Sequence, residues 1–155
     1  MPPTIGSATL NDLPAILAIE LHAPSAAHWP ADEYEKLVKA GMVLVAEQAG
    51  QLCGFVSAKA VVGDWEIENI VVATEFLRQG IADQLLQALI DQADNAGASR
   101  ILLEVRESNH PARRLYEKHA FREVGRRLKY YNHPLEDAIL CERRCEPEQE
   151  RFRPV

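Results

Sequence analysis

Apolar residues recur at Ile81, Leu85, Leu86, Leu89, Ile90 and Ala93, the spacing of one face of a helix. Just upstream, Glu66-Ile67-Glu68-Asn69-Ile70-Val71-Val72 is rich in β-branched residues and reads as a strand. Arg78-Gln79-Gly80-Ile81-Ala82-Asp83 joins the two, with a glycine where the backbone must turn into the helix. Strand, glycine loop and helix in succession put free backbone N–H groups and a positive dipole end at one point, which suits an anion. The stretch therefore predicts a phosphate-bearing cofactor at Arg78 to Asp83.

The rest of the pattern surrounds this unit. Residues 5–10 alternate as a first strand. Asn11 or Asp12 caps a helix with Pro14 in its first turn, and Leu13, Ile16, Leu17 and Leu21 form its buried stripe. The prolines of residues 22–31 imply a loop, followed by a helix over 32–40 that Gly41 ends. Strands over 42–47, 52–62 and 65–73, with turns at 49–51 and 63–64, make an antiparallel meander. The helix runs from about Gly80 to Ala96-Gly97. Arg100 to Arg106 is nearly continuous in its apolar character, as expected of a strand covered on both faces in a parallel pair. A short helix opens at Ser108-Asn109-His110-Pro111, and strands over 121–131 and 137–145 close the chain. The expected class is α/β, a mostly antiparallel mixed sheet with one parallel pair, flanked by helices. Residues 1–146 read as one domain and 147–155 as a charged C-terminal tail.

Composition narrows the function. With 155 residues, a net charge of −6 and a pI near 5.4, the chain lacks the basic excess of a nucleic-acid binder. No apolar run approaches the roughly 20 residues of a membrane span, and the first residues lack the pattern of a signal peptide. Three cysteines without a CxxC pair suit free thiols. A cytoplasmic protein is expected. The five histidines show no metal-ligand spacing, so no metal is expected.

Five blocks in order carry a resemblance: Glu66 to Val72; Arg78 to Ala82; Leu103-Glu104-Val105-Arg106-Glu107-Ser108-Asn109; Ala112 to Phe121 with Leu115-Tyr116-Glu117; and Tyr130-Tyr131 before Glu136-Asp137-Ala138. With these the chain resembles the GCN5-related N-acetyltransferases over nearly its whole length, and among them the bacterial ribosomal-protein-alanine N-acetyltransferases. The resemblance implies acetyl-CoA as cofactor. Arg78, Gln79, Gly80, Ile81, Ala82 and Asp83 would cradle its pyrophosphate, Ile70, Val71 and Val72 would run along the pantetheine arm, and Asn109 would meet it farther on. Glu104 would be the general base and Tyr116 the general acid. The acceptor implied is a protein N-terminus, a ribosomal protein among the candidates. Three positions depart from the family pattern: Leu77 stands where a Gln or Arg is usual, Asp83 where a basic residue often follows, and Ala120 where a glycine precedes Phe121.

Each site residue also has a reading that needs no function. Glu104 sits in an apolar strand, where lost hydration favours a base, yet it equally suits an ion pair with Arg100 or Arg106. Tyr116 fits a core tyrosine. Glu66 and Glu68 share a strand face that could attract a cationic acceptor, or simply be solvated. Tyr130 and Tyr131 hold a peptide backbone by resemblance, or pack the last hairpin. Trp29 walls a peptide pocket or anchors its loop. The alternatives to N-terminal acetylation are acetylation of a small amine or a lysine side chain, and a non-catalytic acyl-CoA-binding module.

Overall fold

The computed structural model describes residues 2–23 and 26–145. The expected tail at 147–155 lies outside these residues, as do Pro24 and Ser25 of the expected 22–31 loop. The elements are β1 (Thr4–Ser7), α1 (Leu13–Leu21), α2 (Ala31–Lys39), β2 (Val43–Gln48), β3 (Gln51–Val61), β4 (Asp64–Val72), α3 (Ile81–Asn95), β5 (Arg100–Arg106), α4 (His110–Lys118), β6 (Arg122–Tyr131) and β7 (Glu136–Arg144). Short 3-10 turns at Leu10–Asp12 and Thr74–Phe76 are added to the expected list. The strand order is β1-β2-β3-β4-β5-β7-β6. β4 and β5 are parallel, and the described pairs that involve β1 and β2, β2 and β3, β5 and β7, and β6 and β7 are antiparallel. The mixed sheet with one parallel pair is as the pattern predicts.

The chain divides into two units, Met1–Lys59 with Ile67–Asp91, and Ala60–Glu66 with Gln92–Val155. In the first, Ile16 of α1, Tyr34 and Val38 of α2, Val43 and Val45 of β2, Phe55 of β3 and Val71 of β4 form a buried cluster. The opposite face takes α3. Gly54 of β3 makes that seat possible: a Cβ there would lie 2.9 Å from the Val71 carbonyl oxygen, 3.3 Å from Leu85 Cδ1 and 3.4 Å from Ile81 Cγ2. The α3 stripe is buried as its spacing predicts, with Ile81, Leu85, Leu86, Leu89, Ile90 and Ala93 all inside.

Two expectations about α1 change. Asp12 is its N-cap, as expected, but the Asp12 carboxylate serves the preceding 3-10 turn instead, accepting from Thr9 N–H at 2.8 Å in a capping box. Leu21 is 72% exposed and leaves the stripe, while Glu20 is buried in its place.

In the second unit, β5 pairs with β7 along its full length but with β4 only at Trp65↔Ile101 and Glu66↔Leu102. One face of β5 is buried (Ile101, Leu103, Val105), whereas Leu102, Glu104 and Arg106 are half-buried. The strand is thus covered on one face and only partly on the other. The turn expected at 63–64 sits at Val62 and Gly63, both with positive φ (46° and 84°).

Candidate active site

The glycine loop behaves as its residues dictate. Arg78 and Gly80 adopt left-handed φ values of 63° and 76°, and Arg78, Gln79 and Gly80 are exposed. The first α3 bond runs from Gln84 N–H to the Gly80 carbonyl at 3.1 Å. The N–H groups of Gly80, Ile81 and Ala82 therefore point out of the helix end with no acceptor one turn back. The space where a Gly80 Cβ would stand is open. Two left-handed turns, an outward row of N–H donors and the Arg78 guanidinium suit a pyrophosphate. Asp83 stands in the first turn, where a carboxylate favours the dipole. Leu77 is 54% exposed.

The end of β4 leads into this loop. Val71 belongs to the buried cluster, whereas Ile70 and Val72 share the half-buried face with Glu66 and Glu68. Val72 borders an open cavity of about 550 Å³, walled across from it by Ala18, Ile19 and His22 of α1 and its end. An apolar wall beside an extended strand suits the arm of a long cofactor. Glu68 pairs with Lys59 at 3.1 Å, so it belongs to a strand-face ion pair as well as to the rim expected to draw a cationic acceptor.

Sequence reasoning missed a polar cluster in the same unit. Glu20, only 5% exposed, accepts from the Tyr34 hydroxyl and from Trp29 N–H (3.3 Å), and faces His28 Nδ1 at 3.3 Å. Asn69 donates to the Ala27 carbonyl at 2.7 Å and to Tyr34 Oη at 3.2 Å, and accepts from Ala27 N–H at 3.3 Å. Burial and the hydrogen bond to the Glu20 carboxylate push the Tyr34 hydroxyl far above its usual range. The available signal was a carboxylate four residues after Ile16, on the apolar side of α1. Trp29 is 37% exposed, at the rim of its loop instead of buried as an anchor.

The second unit brings the expected catalytic residues around one tyrosine. Glu104 is half-buried, and its partner is Arg127 of β6, with Nε to Oε1 at 3.0 Å. The ion pair expected with Arg100 or Arg106 is thereby corrected. Arg100 is drawn to Asp64 and Glu142, and Arg106 lies over the Tyr131 ring, 4.1 Å from its centroid. Tyr131 and Tyr130 meet edge to face at 5.1 Å, with Arg127 above the Tyr130 ring. Burial raises the Tyr131 hydroxyl pKa, the Glu104 carboxylate raises it further, and Arg106 opposes them. Tyr116 of α4 is buried, which pushes its hydroxyl well above the ordinary tyrosine range, and Cys141 and Tyr131 add to the shift. Tyr131 is thus the side chain that feels the Glu104 charge and itself adds to the shift of Tyr116. Asn109 accepts from Ala112 N–H at 3.3 Å and so caps α4. Its carboxamide oxygen is engaged there, and its nitrogen is the donor it would offer a cofactor.

Comparison with known proteins decides the family. Residues 11–121 match the acetyltransferase (GNAT) family. This chain belongs to that family. It is 33% identical over 143 residues, 88% of this chain and 94% of the relative, to the [Ribosomal protein bS18]-alanine N-acetyltransferase of Escherichia coli strain K12. A putative enzyme of the same name from Bacillus subtilis strain 168 is 36% identical over 63% of this chain and 64% of its own length. The crystal structure of the ribosomal-protein-S18-alanine N-acetyltransferase from Escherichia coli superposes with a TM-score of 0.86 at 31% identity, covering 98% of this chain and 99% of that one. The chain is accordingly an acetyl-CoA-dependent N-acetyltransferase of the GNAT family. Among the described residues, no helix is long and apolar enough to cross a membrane, and no group of side chains is placed to hold a metal ion.

Proposed function

We propose that this GNAT enzyme acetylates the N-terminal α-amine of a protein, with an alanine-first ribosomal protein as acceptor, by direct transfer in a ternary complex. The observation that carries this reading is the match along nearly the whole of both chains to an enzyme named for that reaction. The cytoplasm, where ribosomes are assembled, is the compartment expected.

Acetyl-CoA supplies an activated thioester acetyl group. The residues at Arg78 to Ala82 fit its pyrophosphate by donor number, charge and open space, and Ile70 to Val72 would hold its arm. Glu104 receives the proton of the incoming amine. An α-amine has a reference pKa of about 7.7–8.0, against about 10.4 for a lysine side chain. A fraction of it is therefore already neutral near pH 7, and a carboxylate that shares itself with Arg127 suffices as base. Tyr116 would serve the leaving sulfur. Burial keeps its hydroxyl protonated at every neutral pH, so it stays a donor. As the thiolate leaves, this hydroxyl would pass it a proton as general acid, and the same burial, which disfavours a phenolate, would draw a proton back from water afterwards. Tyr130 and Tyr131 in the second unit, and Glu68 and Trp29 in the first, are the residues assigned to the acceptor.

The test is direct. The protein is incubated with acetyl-CoA and peptides beginning with alanine, serine or methionine, and thiol release is followed with mass analysis of the products. Alanine-first peptides should react fastest, at the N-terminus alone. Preferential acetylation of N-terminally blocked lysine peptides or polyamines would overturn the assignment.

A further inference from the structure

The segment Ala27–Trp29, after α1, is held by side chains. Three consecutive residues, Ala27, His28 and Trp29, are gripped by two buried polar groups from different elements. Asn69 of β4 closes a two-way pair with Ala27, donating to its carbonyl and accepting from its N–H, as a neighbouring strand would. Glu20 of α1 accepts from Trp29 N–H on one oxygen and meets His28 on the other. Tyr34 of α2 joins the two grips by donating to Glu20 and accepting from Asn69. All three are almost fully buried, where an unmatched polar group is costly, so the set holds together or fails together. His28 and Trp29 keep much of their side chains exposed.

From this geometry we infer that Glu20, Tyr34 and Asn69 are positioning residues for acceptor recognition: they tie the Ala27–Trp29 segment to β4 so that His28 and Trp29 present a preformed surface to the incoming peptide. The inference rests on the acceptor reading above. Two features of the cluster support it. Asn69 directly precedes Ile70, so the segment is held in register with the strand residues assigned to the cofactor arm. The Ala27 N–H is taken by Asn69, whose carboxamide also occupies one side of the Ala27 carbonyl, so this residue has no backbone donor to offer an acceptor. Recognition then falls to the side chains of His28 and Trp29. These need a fixed backbone, because ordering a loose loop at each encounter would weaken binding.

The test uses Asn69→Leu, Tyr34→Phe, Glu20→Leu and Glu20→Gln in the full chain, with amide hydrogen exchange, calorimetric binding of CoA and kinetics on an alanine-first peptide. Tyr34→Phe keeps the ring against Phe55 (5.7 Å, edge-on) and serves where Asn69→Leu does not fold. Asn69→Leu and Glu20→Leu should raise the peptide KM about tenfold, the scale of one lost buried hydrogen bond. They should leave CoA affinity and kcat within about twofold and speed exchange at Ala27 and Trp29 respectively. Tyr34→Phe should move KM in the same direction. Glu20→Gln keeps an acceptor for Tyr34 and Trp29 and a donor for His28, and should restore wild-type KM. Faster exchange with unchanged peptide KM, or loss of CoA affinity in parallel with KM, would overturn the inference. Wild-type protein that binds CoA but acetylates no N-terminal peptide would instead overturn the acceptor reading, and this inference with it.

Discussion

Phe121 donates its backbone N–H to the Tyr116 carbonyl at 3.0 Å and sets its ring edge-on against the Tyr116 ring, with centroids 5.7 Å apart. Together with the bond from Ala120 N–H to the Glu117 carbonyl (3.0 Å), this is a Schellman closure of α4. The helix end and the candidate acid are therefore one construction: the motif that stops α4 also fixes the backbone and ring of Tyr116. The closure requires a left-handed residue at position 120, and Ala120 takes it with φ of 66°.

Ala120→Gly should stabilise the protein. Glycine escapes the steric cost that a Cβ meets in the left-handed region, less what it gives back through a more flexible unfolded chain. The net gain should be about 0.5–1 kcal/mol, a rise of roughly 2–3 °C in Tm, read by calorimetry. The rate of acetyl transfer should be unchanged, because Tyr116 keeps both of its contacts with Phe121.

Removing either proton-handling group should slow the chemistry and spare the fold. Tyr116→Phe retains the ring packing, and Glu104→Gln retains the shape beside Arg127. Each should lower kcat by about 10²-fold, the lower range for a lost general acid or base, with CoA affinity by calorimetry within about twofold of wild type. Undiminished turnover in both variants would remove the roles assigned to them.

Gly54→Ala should act at a distance of one layer. Its new Cβ would press on the Val71 carbonyl and on Leu85 and Ile81 of α3. Overpacking of this kind costs about 1–3 kcal/mol, and the rigid carbonyl cannot yield as a side chain can. Because Ile81 and Val71 flank the glycine loop, CoA affinity should fall together with the thermal midpoint. Denaturant unfolding and calorimetry would measure both.

Acid stability should depend on Glu142. This buried carboxylate lies 2.9 Å from Arg100 and 3.6 Å from both Arg122 and Arg144. The hydrogen bond from Arg100, with the other guanidiniums adding to it, lowers its pKa below the usual carboxylate value. A lowered folded-state pKa gives stability that is present above the unfolded value, about 4.3, and is lost as pH falls through the folded one. Glu142→Gln should therefore be less stable than wild type near neutral pH. The gap should close in urea titrations carried below about pH 4.

What the sequence determined by itself is what short-range periodicity and local chemistry encode. The stripe from Ile81 to Ala93, the glycine turn at Gly80 and the order of the elements are all present in one-dimensional spacing, because a helix or strand face repeats every few residues, whereas the roles of Glu104 and Tyr116 are implied by the family resemblance. What the tertiary structure decided depends on partners far apart in the chain. Leu21 continues the α1 stripe by spacing but faces outward, while Glu20 is taken inside because Tyr34, the Trp29 N–H and the His28 ring meet it. Glu104 pairs with Arg127, 23 positions away, because β6 and β7 bring that guanidinium across the sheet. Asn69 looks like any residue of a strand until Ala27 is laid against it. A buried polar group is stable only beside its complement, and which complement arrives is set by packing that no local pattern records.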